Sequence, residues 1–327
     1  MSETTARAEL IEDRGEASAS EEFFRSRPFL EAEGVTHTLR IEVGEVELLA
    51  PLIVRPIGDG PERDGISPYG YPGIATSSRV SDVDHAGVGS MSDTPLDPAE
   101  VDFSGTGLVT VFLRHALTAD LPLRDATARN VVQIADPELP AKSRPSDRNQ
   151  INKNLRRGYE LRIVPGPETT PTERAGFLAA YEQTMRRTGA AERYLFSAAY
   201  FDRILESDRT WLALALAPEG ETAAASLAAS SDGFLHYYLS GSADSHLRDS
   251  PMKNVLAALI GLAAEQGLPL NLGGGIARGD RLEEFKRGFA NREQPWSTSE
   301  IVCDAAVYTR LRAGRDAGDF FPAYRAS

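Results

Sequence analysis

The stretch from Leu268 to Phe289, LPLNLGGGIARGDRLEEFKRGF, sets the tightest limit on what this chain can fold into. An apolar, strand-like run (Leu268, Leu270, Leu272) ends in three consecutive glycines, Gly273 to Gly275. A helix is expected after Gly279, because spacings of three and four put Leu282, Phe285 and Phe289 on one buried stripe. Lys286 and Arg287 then lie beside that stripe. A strand opening through glycines onto a helix with cationic side chains makes a cleft for an anion or another ligand. The glycines admit a plain turn as well as a close approach of backbone to ligand. No GK[ST] follows them, so they are not a phosphate-binding loop, and no GxGxxG opens a βαβ unit.

The 327 residues suffice for two domains, each with its own core. The apolar share of 41% and the mixture of helical and alternating patterns suit an α/β protein. No segment approaches the roughly 18 consecutive apolar residues of a membrane span. The opening MSETTARAELIEDRGEASASEEFF has no apolar core after a basic start, so a secretory signal is not expected. Cys303 is the one cysteine and sits in the alternating run EIVCDAAVY, which reads as a strand with a packed thiol. His37, His85, His115, His236 and His246 share no HxxxH or HxH spacing, so no metal site is expected.

The formal charge of −13 argues against general DNA binding. Charge is uneven, however. Lys142, Arg144, Arg148, Lys153, Arg156, Arg157 and Arg162 fall within 21 residues, against Asp147 and Glu160. Such a patch suits a phosphorylated ligand or one end of an RNA. Ser146 or Asp147 is expected to cap a helix over Asn149–Arg157 ending at Gly158. Ile151 and Leu155 are its apolar pair, and Arg148, Asn152 and Arg156 line another face, either solvated or in contact with an anion.

Residues 1–26 are acidic and rich in Ser and Ala, and read as disordered or loosely ordered. Residues 27–145 form a first domain and 146–327 a second, whose C-terminal segment can pack back on the first. Val43–Ile57 reads as one or two strands. The stretch from Ser67 to Ile74 is too rich in Pro and Gly for regular structure, and its Tyr69 and Tyr71 either pack on the core or form a pocket wall. Strands follow over Gly107–Arg114 and Asn130–Ile134. In the second half a strand (Tyr159–Val164), a helix (Thr172–Thr188) and a shorter helix near Tyr200 precede three antiparallel strands, Trp211–Ala217, Ala223–Ser230 and Phe234–Ser242. Met252–Gln266 is a helix with Pro251 in its first turn and Gly267 closing it. Ile301–Tyr308 reads as one more strand.

This order, together with RNQINKNLRRG at 148–158, YYLSGS at 237–242, SPMK at 250–253, NLGGG at 271–275, LEEFKRGF at 282–289, FFPAYR at 320–325 and PYGYPG at 68–73, resembles the FemABX family within the GCN5-related N-acetyltransferase superfamily. The match runs over about residues 40 to 325. It implies a tandem of acetyltransferase-like (GNAT/FemABX-type) α/β domains with mixed, largely antiparallel sheets. It also implies a cytoplasmic enzyme without a tightly bound cofactor. Such an enzyme transfers an aminoacyl group from the acceptor end of aminoacyl-tRNA to the amine of a peptidoglycan precursor or a peptide-like small molecule. The family lysine falls on Lys286. No long charged insertion corresponds to the helical tRNA-binding arm of some members. The alternative donor is an acyl-CoA, but SGSADSHLRDSPMKN, at 240–254, lacks the usual CoA signature. Backbone N–H groups around Ser250 to Lys253 can still receive a pyrophosphate. A non-catalytic ligand-binding protein is the third reading.

Transfer to an amine needs a neutral nucleophile, orientation, and donors where the oxyanion develops. Lys286 and Tyr238 are the catalytic candidates. Tyr69, Tyr71, Arg148, Asn152, Arg156, Tyr237, Lys253, Gly273, Gly274, Gly275 and Arg287 are candidates for binding donor or acceptor. Tyr237 and Tyr238 alternate along their strand, so one can pack while the other lines the cleft. His236 is a candidate base with a structural role as its rival. Asp280, Glu283 and Glu284 are candidate partners for Lys286. No residue stands out as a covalent nucleophile, which favours direct attack by the acceptor amine.

Overall fold

The computed structural model describes residues 6–78, 95–117, 121–275 and 279–326. His85 lies outside the described residues. The chain divides into two units: residues 1–129 with 296–327, and residues 130–295. The division falls at 129 rather than near the expected 145, ahead of Gln133, Ile134 and Ala135, which pair inside the second unit.

In unit 1, β1 (Ala6–Ile11) is followed by α1 (Arg27–Ala32), β2 (His37–Val43) and β3 (Val46–Pro56). β1 pairs antiparallel with β2, and β2 with β3 through a turn at Gly44. The N-terminal tail is therefore not loose from Ala6 onward. Ala8 is fully buried, and Phe23, Phe24 and Phe29 form a buried ring cluster with centroids 5.1 to 5.3 Å apart. Acidic composition hid this, since the carboxylates occupy the exposed positions between buried ones. β4 (Arg63–Ile66), β5 (Ala75–Ser78), β6 (Val101–Asp102) and β7 (Thr110–Arg114) complete the first pass. Ser67 to Ile74 is irregular, as its prolines and glycines require. Apolar alternation buries Leu39, Ile41, Leu48, Leu52, Val111 and Leu113 in one core.

β8 (Thr127–Ala135) carries the chain into unit 2. There α2 (Pro145–Arg156) begins one turn earlier than expected, with Pro145 in its first turn. Ser146 and Asp147 lie inside the helix rather than capping it. β9 (Glu160–Pro165) leads to α3 (Pro171–Thr188), which starts on a Thr170–Glu173 capping box and stops at Gly189 in the left-handed conformation. α4 (Ala198–Ile204) and three strands follow, β10 (Thr210–Leu216), β11 (Thr222–Ser231) and β12 (Phe234–Ser242). Then come α5 (Met252–Glu265), β13 (Leu270–Gly273) and α6 (Arg281–Arg287).

The strand order in this unit is β8-β13-β12-β11-β10-β9, antiparallel throughout except for β12 beside β13. α5 buries Val255, Leu256 and Leu259 against one face, with Ala213, Ala215, Ala224, Ala228 and Leu235 beneath them. Small residues under the helix let it approach closely. On the other face α3 comes nearer still: a Cβ at Gly241 would stand 2.4 Å from the backbone of Ala180. Only glycine fits there.

β14 (Arg292–Val302) returns the chain to unit 1, where Thr298–Val302 pair antiparallel with β7. The strand expected over Ile301–Tyr308 ends at Val302. Asp304 caps α7 (Ala305–Arg312) by accepting from the Val307 amide at 2.9 Å. Among the described residues no helix is long and apolar enough to cross a membrane.

Candidate active site

Two irregularities in the unit 2 sheet meet at Tyr237. Between β11 and β12 the register steps from Ala228↔Tyr237 to Leu227↔Leu239, so Tyr238 is an extra residue, a β-bulge. Between β12 and β13 the ladder covers only Leu235↔Leu270 and His236↔Asn271, although β12 runs on to Ser242. The two parallel strands part beyond His236. Tyr237 and Gly273 stand at the mouth of this split.

Lys286 fills it from α6. Its ammonium donates to the Gly274 carbonyl at 2.7 Å and lies 5.9 Å from the centroid of the Tyr237 ring. Gly273 has φ +74°, which favours glycine, and a Cβ there would sit 3.1 Å from that nitrogen and press on it. Gly274 is equally confined, by the Asn130 amide and the Val131 carbonyl. Asn130 donates to the Gly275 carbonyl at 3.2 Å and so braces the third glycine. The close approach expected of the glycines is made here toward a lysine of the same chain.

α6 differs from its expected stripe. Leu282 is 40% exposed, whereas the charged Glu283 and Lys286 are buried. Phe289 is buried, with Phe285 edge-on to it at 5.7 Å. Asp280 caps the helix by accepting from the Glu283 amide at 2.8 Å, and Glu283 accepts from the Gly279 amide at 2.7 Å and binds Arg287. Glu283 is therefore spent on Gly279 and Arg287. Burial pushes the Lys286 ammonium down to about 8, with Asp280 pulling weakly the other way. Near neutral pH it is still mostly a cation. Of its three donors one serves Gly274, and the others have no hydrogen-bond partner among the described residues.

The neighbouring Tyr237 and His236 are held by partners of their own. Burial holds the Tyr237 phenol up at about 12, and its hydroxyl pairs with Ser240 at 2.5 Å. His236 is fully occupied: Asn271 meets its Nδ1 at 3.0 Å and the Ser231 carbonyl its Nε2 at 3.2 Å. Burial lowers it to about 4, so it is a neutral, structural ring. Tyr238 meets the Tyr200 hydroxyl at 3.0 Å, beside Phe196 stacked on Tyr200 at 4.2 Å. It thus joins the aromatic cluster of α4, and no contact among the described residues links it to Lys286.

The segment before α5, where an acetyltransferase holds the CoA pyrophosphate, is closed. The Ser250 and Lys253 amides are bonded to the carbonyls of Leu247 and Ser250 at 3.2 and 3.1 Å, and position 251 is proline. The Asp249 carbonyl accepts from Gln150 and Asn154 of α2 at 3.0 and 2.8 Å. The Asp249 carboxylate binds Arg157 and Tyr159, and Lys253 is paired with Asp147 at 2.9 Å. The Asp249 and Asp147 carboxylates, each with its cation, thus flank the start of α5. Nothing in the sequence pattern signalled this lock, because Gln150 and Asn154 read as ordinary polar helix residues.

The remaining candidates disperse. Arg148, Asn152 and Arg156 are exposed on α2, and no contact among the described residues joins them to Lys286. Arg287 bridges Glu283 and Glu293 on the surface. Tyr69 and Tyr71 belong to unit 1. The Tyr69 amide donates to Glu33 at 2.7 Å, and the Tyr71 ring stands edge-on to Phe24 and Trp296 at 5.6 and 5.7 Å.

Comparison with known proteins bears on the fold. Residues 141–287 match the model of an acetyltransferase (GNAT) domain. In fold the chain is similar to FemX, at 12% identity over 87% of this chain and 93% of that one, with a TM-score of 0.59. It is likewise similar to the C-terminal domain of a protein assigned as a lysylphosphatidylglycerol synthetase from Agrobacterium fabrum, at 13% identity over 88% and 89%, TM-score 0.52. No curated protein sequence matches. The chain thus contains an acetyltransferase-like α/β domain and is similar in fold to FemX. At such identities the likeness is one of fold.

Proposed function

We propose that this chain is an N-aminoacyltransferase. It takes an amino acid from the acceptor end of aminoacyl-tRNA and joins it to the amine of a peptide-like acceptor such as a peptidoglycan precursor. The observation that carries this reading is Lys286, a buried cation at the mouth of the β12–β13 split that among the described residues donates only to Gly274. The amine nitrogen attacks the ester carbonyl, the bond to the ribose oxygen breaks, and the amine's proton passes to that departing oxygen. Lys286 holds the developing oxyanion or the donor's ribose and phosphate. No acyl-enzyme forms. The donor is a co-substrate, no tightly bound cofactor is needed, and the reaction belongs to the cytoplasm, where aminoacyl-tRNA is made.

The closed segment at Asp249–Lys253 supports this donor over CoA. The GNAT-domain match favours the second reading, an acyl-CoA-dependent N-acyltransferase acting on a small amine. A paired assay separates them: labelled aminoacyl-tRNA and labelled acetyl-CoA are each offered with a panel of amines. Ribonuclease-sensitive transfer is expected. Thiol release from acetyl-CoA would establish the second reading. Saturable ligand binding without turnover, with Lys286 affecting affinity alone, would make this a binding protein.

A further inference from the structure

The net charge is not shared between the units. Unit 2 carries 20 Lys or Arg against 21 Asp or Glu, whereas unit 1 has 15 against 27. The acidic excess therefore lies almost wholly in unit 1, and unit 2 can face a polyanion without a general repulsive field.

Within unit 2 the cations concentrate on α2. Its inward face is Asp147, Ile151 and Asn154, and Asn154 is fully buried. The opposite face, at helical spacing, is Arg148, Asn149, Asn152, Lys153 and Arg156, all exposed. An ordinary solvated face of a protein with net charge −13 would alternate carboxylates with the bases, so as to gain i,i+4 pairs. This face has no carboxylate. Arg148 is held only by the Ser143 carbonyl, and Lys153 and Arg156 have no ion pair among the described residues. Arg148, Asn152 and Arg156 recur every four residues, roughly 6 Å along the axis, on the order of the spacing between successive phosphates of a nucleic-acid strand. Asparagine amides between arginines add hydrogen bonds to phosphate or ribose without adding charge. The start of the helix reaches the proposed site, since Arg144 donates to the Glu284 carbonyl of α6 at 3.1 Å.

We infer that this face of α2 is the surface on which the RNA backbone of the donor lies, leading its acceptor end toward α6 and Lys286. The inference rests on the aminoacyltransferase reading and adds to it the element that holds the RNA. It also explains how the chain can dispense with a helical arm.

The test uses the full chain, deacylated tRNA, and the double variant Arg148→Gln/Arg156→Gln, whose exposed positions leave the fold intact. Binding is measured by anisotropy from low to moderate salt. Each phosphate contact contributes about 0.7 to 0.9 to the slope of log K against log salt. The variant is expected to bind at least about tenfold more weakly at low salt, with a slope lower by about 1.4 to 1.8. Restoring charge with Arg148→Lys/Arg156→Lys should recover most of the slope. Unchanged affinity and slope in the Gln variant, with transfer from aminoacyl-tRNA intact, overturn the helix assignment alone. Charge-dependent tRNA binding without any transfer leaves the surface standing and overturns the enzyme reading. Loss of binding to phosphatidylglycerol vesicles, in a protein that does not bind tRNA, overturns RNA as the occupant.

Discussion

Asn154 of α2 gives both hydrogens of its side-chain amide to unit 2's second helix layer, one to Oδ1 of Asn254 and one to the carbonyl of Asp249, each at 2.8 Å. Both asparagines are fully buried. The pair fixes α2 to the start of α5 and, with Gln150, closes the segment where CoA would need free amides. Asn154→Ala strands one buried acceptor, Oδ1 of Asn254, and leaves the Asp249 carbonyl to Gln150 alone, a loss of about 1 to 3 kcal/mol. Chemical denaturation should show a loss in that range. Gln150→Ala, at a half-buried site, should cost less.

Removing the Lys286 ammonium should separate stability from function. Lys286→Met should abolish transfer while leaving the fold in place. Burial lowers this group to about 8 from its ordinary 10.5, so the unfolded chain binds more protons between those values. The wild type should therefore gain stability, relative to the variant, as pH rises from about 8 to about 10.5. Below 8 the burial penalty is fully present, and the variant should be more stable by on the order of 1 to 3 kcal/mol. Denaturant midpoints at pH 7 and pH 10 check this. If the cation is the working form, transfer rates should also fall as pH climbs through about 8.

Gly274→Ala should harm the site through its walls. The new methyl would meet the Asn130 amide at 2.7 Å and the Val131 carbonyl at 2.9 Å. The Gly274 carbonyl then shifts and Lys286 loses its anchor. Transfer should drop about tenfold or more, as misplacement of a reacting group generally costs. Gly267→Ala is the control: its Cβ meets nothing within 4 Å, so its φ of +66° adds backbone strain alone and activity should survive.

Much of the fold was legible because its signals are local. The three strands Thr210–Ser242 have short polar turns, and α5 has Pro251 before it and Gly267 after it. What escaped were features decided by partners far along the chain. β1 reads as a polar tail until Leu10 is set against Leu39 of β2. Ile301 to Tyr308 alternates like a strand, but the Asp304 side chain turns it into a helix. At the site, Lys286 and the glycines were visible as a cationic helix after a glycine run. The placement of Tyr238 was not, because the bulge at that residue depends on the register of β11. A pattern of spacing carries no information on which way a bulged residue turns.

The Cys303 thiol should resist modification in the native protein. Burial and the neighbouring Asp304 push it up to about 12. Because the thiolate is the reactive form, iodoacetamide at pH 8 should label it at least about a hundredfold more slowly than in denaturant. Prompt labelling of the folded chain would count against the packed position beside the unit 1 core.

Asp64 has 0% exposure and is held by Arg55, by the Tyr324 hydroxyl at 3.2 Å and by Arg325. Losing Tyr324 and Arg325 leaves this buried carboxylate to Arg55 alone, at a cost below the about 3 to 5 kcal/mol of a fully unpaired buried charge. Removal of residues 320–327 should therefore destabilise unit 1 while unit 2 keeps its own transition, a difference calorimetry can resolve.

That same connectivity bears on how the protein is made. Residues 130–295 are one uninterrupted run, whereas unit 1 needs both ends of the chain, and Asp64 must wait some 260 residues for Arg325. During synthesis the central unit can complete its sheet while the first 129 residues remain without their last strand. For that interval the strand edge of β7 stands open on the ribosome. Translation speed through the central run thus sets how long an unfinished sheet is exposed to mispairing.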